Sequence, residues 1–432
     1  MNWVDTKNRE KVNQKKPHNP SNFRLRRLHK KTLYFLAILG PGLVVMFADT
    51  DAGSVITAAQ SGAVWKYKLL LLQILLIPIV YIVQEMAVRL GIVTGKGHGE
   101  LIREHFGKGW AWVSVSTLMV AALGALVTEF AGVAGAGLLF GIPSWVSVGL
   151  AIAFLLIVVW TGSYRSVERI AILLGSFELI FVVVAWWAGP KPAEMLSGLT
   201  QVPWHQSGYI YLAVANIGAV IMPWMVFYHQ SAVVDKGLTI KDLKASRRDT
   251  ALGSVITQII MIAVLVSVAA TIGVHKSGAS LDTVQEIANA LTPFLGVTVG
   301  KLLFALGIIG ASLVAAIVVS LATAWGLGEV SGYKRSLEDQ PKKAPWFYLV
   351  YTIMVVGGGV LVVSGINLVN LSVAVQVMNA ALLPIVLGFL YILAIRVLPK
   401  PYRLKGTYSG VVGMIVVITS LFGIYAALSP LL

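Results

Sequence analysis

Long unbroken apolar stretches, separated by short polar and mostly basic connections, dominate the 432-residue chain. Eleven apolar segments stand out, over 33–63, 68–92, 110–139, 144–161, 169–188, 208–234, 250–274, 297–327, 346–364, 367–395 and 407–431. Each is read as long enough to cross a ~30 Å hydrocarbon core as a helix, which takes about 20 residues. None shows the every-second-residue alternation of a barrel strand, so helices are predicted throughout. The pattern therefore predicts an all-α integral membrane protein with eleven transmembrane helices. A tail over 1–31 precedes a single transmembrane domain over 32–432.

Two of the segments are interrupted. The first runs through Gly40-Pro41-Gly42 to Asp49-Thr50-Asp51-Ala52-Gly53-Ser54, and the sixth carries Ile217-Gly218-Ala219 followed by Met222-Pro223-Trp224. They lie five segments apart and so run through the membrane in opposite directions. Broken helices at matching positions of two inverted halves mark the binding site of many secondary transporters. The halves are expected over 32–190 and 207–396, with 407–431 as an additional helix.

Composition agrees. The chain is 57% hydrophobic and only 12% charged, too little to cover a water-facing surface at this length. With no Cys there is neither a disulfide framework nor a thiolate metal site, and seven His without Cys make a structural zinc site a poor fit. The opening stretch is polar and basic, so no cleavable signal peptide is expected.

The net charge of +15 raises nucleic acid as a partner, but its distribution argues against it. Ten basic residues fall between Lys7 and Lys31 without aromatic interleaving, and the others sit between apolar segments. With the N-terminus in the cytoplasm, nineteen more fall on cytoplasmic connections and five (Lys66, Lys68, Lys191, Lys276 and Lys301) on the outer side. That is the bias expected of a multi-pass protein of the cell membrane, here with an extracytoplasmic C-terminus.

The chemistry gathers at the interruptions. Asp49 and Asp51 lie within an apolar span, where a carboxylate costs at least ~2.5–3.5 kcal/mol. No Lys or Arg occupies the middle of any span, which leaves a bound cation as the natural partner. Carboxylates with carbonyls freed by an unwound helix make an oxygen-rich site suited to Mg2+, Ca2+ or Mn2+. The alternative is that one Asp caps the restarting half-helix while the other faces a water-filled vestibule. Pro223 opens the sixth helix and frees carbonyls upstream, Ala219 best placed among them. Met222 is either a soft ligand or packing.

Elsewhere, Glu85 pairs with Arg89 one turn on. Glu129 is either a structural hydrogen-bonding group or part of a proton route, and Glu178 has no visible partner. His229 either lines the inner path or is satisfied by a neighbour. Gln376 and Asn379 are candidates to complete a coordination shell. The small residues over 131–141 read as close helix packing, since a phosphate-binding loop would end in Lys and Ser or Thr.

These residues resemble the Nramp divalent-metal transporters. Their Asp-Pro-Gly-Asn motif falls on Asp51, Ala52, Gly53 and Ser54, and their Gln-Ala-Gly-Ala on Gln60, Ser61, Gly62 and Ala63. The run from Gln84 to Lys96 is similar to the end of their second helix, their Met-Pro-His falls on Met222, Pro223 and Trp224, and a family His is matched by His229. The resemblance implies a LeuT-like fold of 5+5 inverted helices and makes Ser54 the ligand position that relatives fill with Asn.

The departures are Ala52 for Pro, Ser54 for Asn, Trp224 for His, Gly132 for one carboxylate of an acidic pair whose other member is Glu129, and no Arg over 346–364. They resemble the Nramp-related magnesium-transporter branch, which implies Mg2+ transport without proton coupling. Met222, which that branch is expected to lack, points the other way.

The expectation is a divalent-cation transporter working by alternating access. Asp51, Ser54, Ala219, Met222 and Asp49 would surround Mg2+ or, second, Mn2+. Gln376, Asn379, Trp224, His229 and Glu129 would contribute further coordination or line the path. The expected partners are the cation and the lipid bilayer, with a monomer and no cofactor beyond the transported ion. Rival readings are a proton-coupled Mn2+/Fe2+ symporter and a Na+-coupled organic-solute transporter of the same fold. No enzyme is expected, because the sequence offers no nucleophile–base pair or metal-hydrolase spacing.

Overall fold

The computed structural model describes residues 40–275, 281, 283–291, 296–363 and 368–428. The basic tail over 1–31, the start of the first segment and the outer Lys276 lie outside these residues. The described part of every expected apolar segment is helical, apart from the two interruptions and single end residues. In chain order these are α1 (Pro41–Asp49), α2 (Ala52–Trp65), α3 (Leu70–Thr94), α4 (His98–Phe106), α5 (Lys108–Leu138), α6 (Ser144–Trp160), α7 (Tyr164–Ser176) and α8 (Ile180–Trp187). There follow α9 (Pro192–Thr200), α10 (Ser207–Val220), α11 (Pro223–Asp235), α12 (Leu243–His275), α13 (Val284–Leu291), α14 (Val297–Ser331), α15 (Pro345–Val363), α16 (Leu368–Arg396) and α17 (Gly406–Leu428).

Among the described residues, nine stretches are long and apolar enough to cross a membrane. Two features separate this number from the eleven expected. A 3-10 turn over Lys66–Leu69 joins α2 to α3, so that Ala52–Thr94 runs as one 43-residue helical stretch, and α6 is short at 17 residues. Three short helices, α4, α9 and α13, lie between the apolar segments where connections were expected.

Burial sorts the helices into an inner and an outer set. All of α1 is buried, as are α2 through Ala63 and α11 from Pro223 to Val233. Apolar side chains stand exposed on α6, α8, α15 and α17, with Ile157 at 69%, Trp186 at 83%, Val360 at 63% and Leu421 at 59%. In water such a surface would drive aggregation, whereas in a bilayer it meets hydrocarbon. The two interrupted helices are thus enclosed by a ring of others.

Close backbone approach holds the inner set together. A Cβ added at Gly62 of α2 would lie 2.3 Å from the carbonyl oxygen of Leu265 on α12, and one at Gly218 of α10 only 1.9 Å from that of Gln376 on α16. Small residues allow such packing where no hydrophobic effect drives helices together. In the small-residue stretch, Gly132 meets Ala52 in the same way, with an added Cβ 2.6 Å from the alanine Cβ. The expected Glu85–Arg89 pair is present at 2.7 Å, reinforced by Arg247 at 2.6 Å.

Candidate cation site at the two helix breaks

The first break is two residues long. Thr50 ends α1 with φ −81° and ψ 42°, and Asp51 is extended at φ −63° and ψ 171°. Asp51 is the N-cap of α2: its carboxylate oxygen Oδ1 accepts from the Ser54 N–H at 2.6 Å, and its carbonyl accepts from Val55 N–H at 2.9 Å. Its second oxygen, Oδ2, is buried and has no partner among the described residues. The capping and ligand readings of Asp51 therefore occupy different atoms.

A proline at position 52 would leave no N–H, but Ala52 has one. Glu129 Oε2, from α5, accepts it at 3.2 Å, while Thr128 Oγ1, which donates to the Ala125 carbonyl at 2.7 Å, lies 3.2 Å from Glu129 Oε1. Of the two readings of Glu129, the structural one has its hydrogen bond. Thr50 Oγ1 donates to Glu178 Oε2, so Glu178 does have a partner: it abuts the break, and Glu178 Oε1 is buried without one. Asp49 Oδ2 accepts from Thr257 Oγ1 of α12 at 3.2 Å, and Asp49 Oδ1 is buried without a partner.

The second break lies at Ile221, with φ −124° and ψ 84°, and at Met222, which is extended, with Pro223 opening α11. Ser54 Oγ donates to the Ala219 carbonyl at 2.9 Å, so one hydrogen bond joins the two breaks across 165 positions. Met222 is fully buried as the N-cap residue of α11. Gln376 reaches the first break, because a Cβ added at Gly53 would lie 2.4 Å from Gln376 Nε2. Its side-chain oxygen accepts from Asn379 Nδ2 at 2.9 Å. Asn379 Oδ1 has no partner among the described residues.

Two path candidates look inward along α11. Trp224 is fully buried with its Nε1 unpartnered among the described residues. His229 is satisfied by a neighbour, Gln84 Oε1, 3.1 Å from its Nδ1.

The breaks thus gather Asp49, Asp51, Ser54, Glu129, Glu178, Ala219 and Gln376. None of the four acids enters an ion pair among the described residues. Buried carboxylates without a cation are costly, and the unpartnered oxygens of Asp49, Asp51 and Glu178 have the hard chemistry that suits a divalent ion. Among the described residues no three His, Cys, Asp or Glu side chains cluster as a metal site, so any ion held here would also need hydroxyl, carbonyl or water oxygens or a thioether sulfur. Sequence reasoning passed over the role of Glu178 and over Thr257. An acid alone in an apolar span was the only signal for the first, and nothing distinguishes the second from other membrane threonines.

A family profile described as natural resistance-associated macrophage protein-like matches residues 42–429. The metal transporter Nramp6 of Arabidopsis thaliana is 32% identical over 206 residues, 47% of this chain and 39% of that protein. The divalent metal cation transporter MntH of Staphylococcus haemolyticus is 34% identical over 213 residues, 46% of each chain. The matched part thus spans less than half the length of either relative. A crystal structure of the Eremococcus coleocola manganese transporter superposes with a TM-score of 0.72 at 19% identity, covering 94% of this chain and 87% of that one. This likeness bears out the LeuT-like all-helical fold. With the profile matching residues 42–429, the chain belongs to the Nramp family.

Proposed function

We propose that this protein carries a divalent metal cation into the cell by alternating access, with Mg2+ as the main substrate, Mn2+ as the second, and no coupling to protons. The observation that carries the reading is the unpartnered, buried Asp51 Oδ2 at a break whose Ser54 is bonded directly to the Ala219 carbonyl of the other. A dication entering here would neutralise a charge that no Lys or Arg among the described residues pairs with, and could draw on the Ser54 hydroxyl and the Ala219 carbonyl for oxygens. Asp49 and Glu178 add negative charge around it.

The preference for Mg2+ rests on the short Ser54 in the ligand position and on the surplus of hard oxygens. The absence of proton coupling rests on the missing carboxylate at Gly132 and on Glu129 being used to hold the Ala52 amide. The proposed arrangement is two inverted repeats, 32–190 and 207–396, with a cytoplasmic N-terminus and an extracytoplasmic C-terminus. An inside-negative potential would then drive a dication inward, at ~2.3 kcal/mol per charge per 100 mV.

A second reading, a proton-coupled Mn2+ symporter, is favoured by Met222 at the second break and by the likeness to a manganese transporter. Uptake into proteoliposomes, with Mg2+ and Mn2+ indicators and an internal pH dye, separates the two. Mg2+ entry without internal acidification, abolished by Asp51→Ala, is the expected result. Mn2+ entry with acidification and no Mg2+ signal would overturn the magnesium reading.

A further inference from the structure

One face of α12 follows the interrupted helix along its length. Ser254 Oγ lies 3.8 Å from Met46 Sδ of α1, Thr257 Oγ1 donates to Asp49 at 3.2 Å, and the Leu265 carbonyl packs on Gly62 of α2. Gln258 stands one turn after Ser254 and two turns before Leu265, and so on the same face. Its neighbours on this stripe bracket the break between α1 and α2, which sets Gln258 level with it.

Gln258 is fully buried, and neither its amide oxygen nor its amide nitrogen has a partner among the described residues. A buried amide with both ends unsatisfied inside a membrane protein is expensive. Asp49 Oδ1 presents a second unsatisfied acceptor on the side of the break that α12 covers. Water bound to a dication is polarised and donates both its hydrogens strongly. It therefore requires acceptors, and neither the Gln258 amide oxygen nor Asp49 Oδ1 serves another donor among the described residues.

We propose that Gln258 and Asp49 accept hydrogen bonds from water that the dication retains, making Gln258 a selectivity-determining residue that favours a partly hydrated ion. Mg2+ gives up its water reluctantly, whereas Mn2+ more readily exchanges water for protein ligands. Gln258 thus contributes more to Mg2+ passage than to Mn2+ passage. This rests on the dication reading above and deepens it.

The test is uptake of Mg2+ and Mn2+ by proteoliposomes containing the full chain with Gln258→Met, which keeps length and volume, or Gln258→Asn, which withdraws the amide by one methylene. Folding is checked by size exclusion and by thermal unfolding without metal, and either variant that folds decides the matter. The expected result is a fall in the Mg2+ to Mn2+ uptake ratio on the order of tenfold for Gln258→Met, and a smaller fall for Gln258→Asn, as for lost hydrogen bonds to a charged centre. An unchanged ratio, or equal loss of both ions, overturns the role of Gln258. Asp51→Ala, assayed in parallel, separates the two failures. Undiminished uptake by that variant would overturn the cation site itself.

Discussion

The carboxylate of Glu129 on α5 accepts the backbone N–H of Ala52, at 3.2 Å and across 77 positions of sequence. A proline at this position would have no N–H, whereas alanine has one, and an amide at a buried helix start needs an acceptor.

Ala52→Pro should therefore be tolerated. Asp51 already holds φ −63° and ψ 171°, the region a residue before proline requires, and position 52 is the first of α2, where proline is well suited. Glu129→Ala in the parent should cost about 1–3 kcal/mol, because it strands the amide. In the Ala52→Pro background the same change should cost measurably less. A double-mutant cycle of thermal unfolding in detergent measures the coupling, and additive costs would count against it.

Met222→Ala separates a thioether ligand from packing. If the sulfur serves only a soft ion, Mn2+ uptake should fall on the order of tenfold while Mg2+ uptake stays within about twofold. Parallel indicator assays in one vesicle preparation check this. Equal losses would return Met222 to a packing role.

At Gly218 the backbones of α10 and α16 are in contact, and an added Cβ would lie 1.9 Å from the Gln376 carbonyl oxygen. No side-chain rotation relieves a clash between backbones. Gly218→Ala should therefore cost about 1–3 kcal/mol or more and lower the thermal midpoint of the purified protein. Gly388, where an added Cβ meets nothing within 4 Å, provides the control, and Gly388→Ala should leave the midpoint almost unchanged.

Glu85 binds Arg89 and Arg247, but unequally. Arg247 is 37% exposed and Arg89 only 9%. Arg247→Ala should cost about 0–1 kcal/mol, as for a solvated pair. Glu85→Ala leaves Arg89 charged and buried and should cost about 3–5 kcal/mol. Urea titration of the two variants gives the ranking, and equal costs would mean that Arg89 finds another acceptor.

Much of this protein was legible in its sequence. Uninterrupted hydrophobicity carries the helices, because in a bilayer each backbone polar group must be satisfied within its own segment and only a helix does so locally. The breaks were legible for the same local reason: Asp49 and Asp51 interrupt an apolar run, and Pro223 removes a donor. The whole of α1, most of α2 and the start of α11 proved to be buried, as a site between them requires.

Only the tertiary structure decided which groups meet there. The bond between Ser54 and Ala219, the return of Glu129 to Ala52, and the approach of Glu178 and Thr257 to the break each join residues between 77 and 208 positions apart. No periodicity encodes such pairings, because they depend on how helices rotate and slide against one another. In a membrane that is set by the close contacts of small residues such as Gly62, Gly132 and Gly218, not by the hydrophobicity that a sequence displays so plainly. Gln258 shows the same division. As a letter it is one polar residue in an apolar helix, and only its place on the face of α12 that follows the broken helix brings it level with the break.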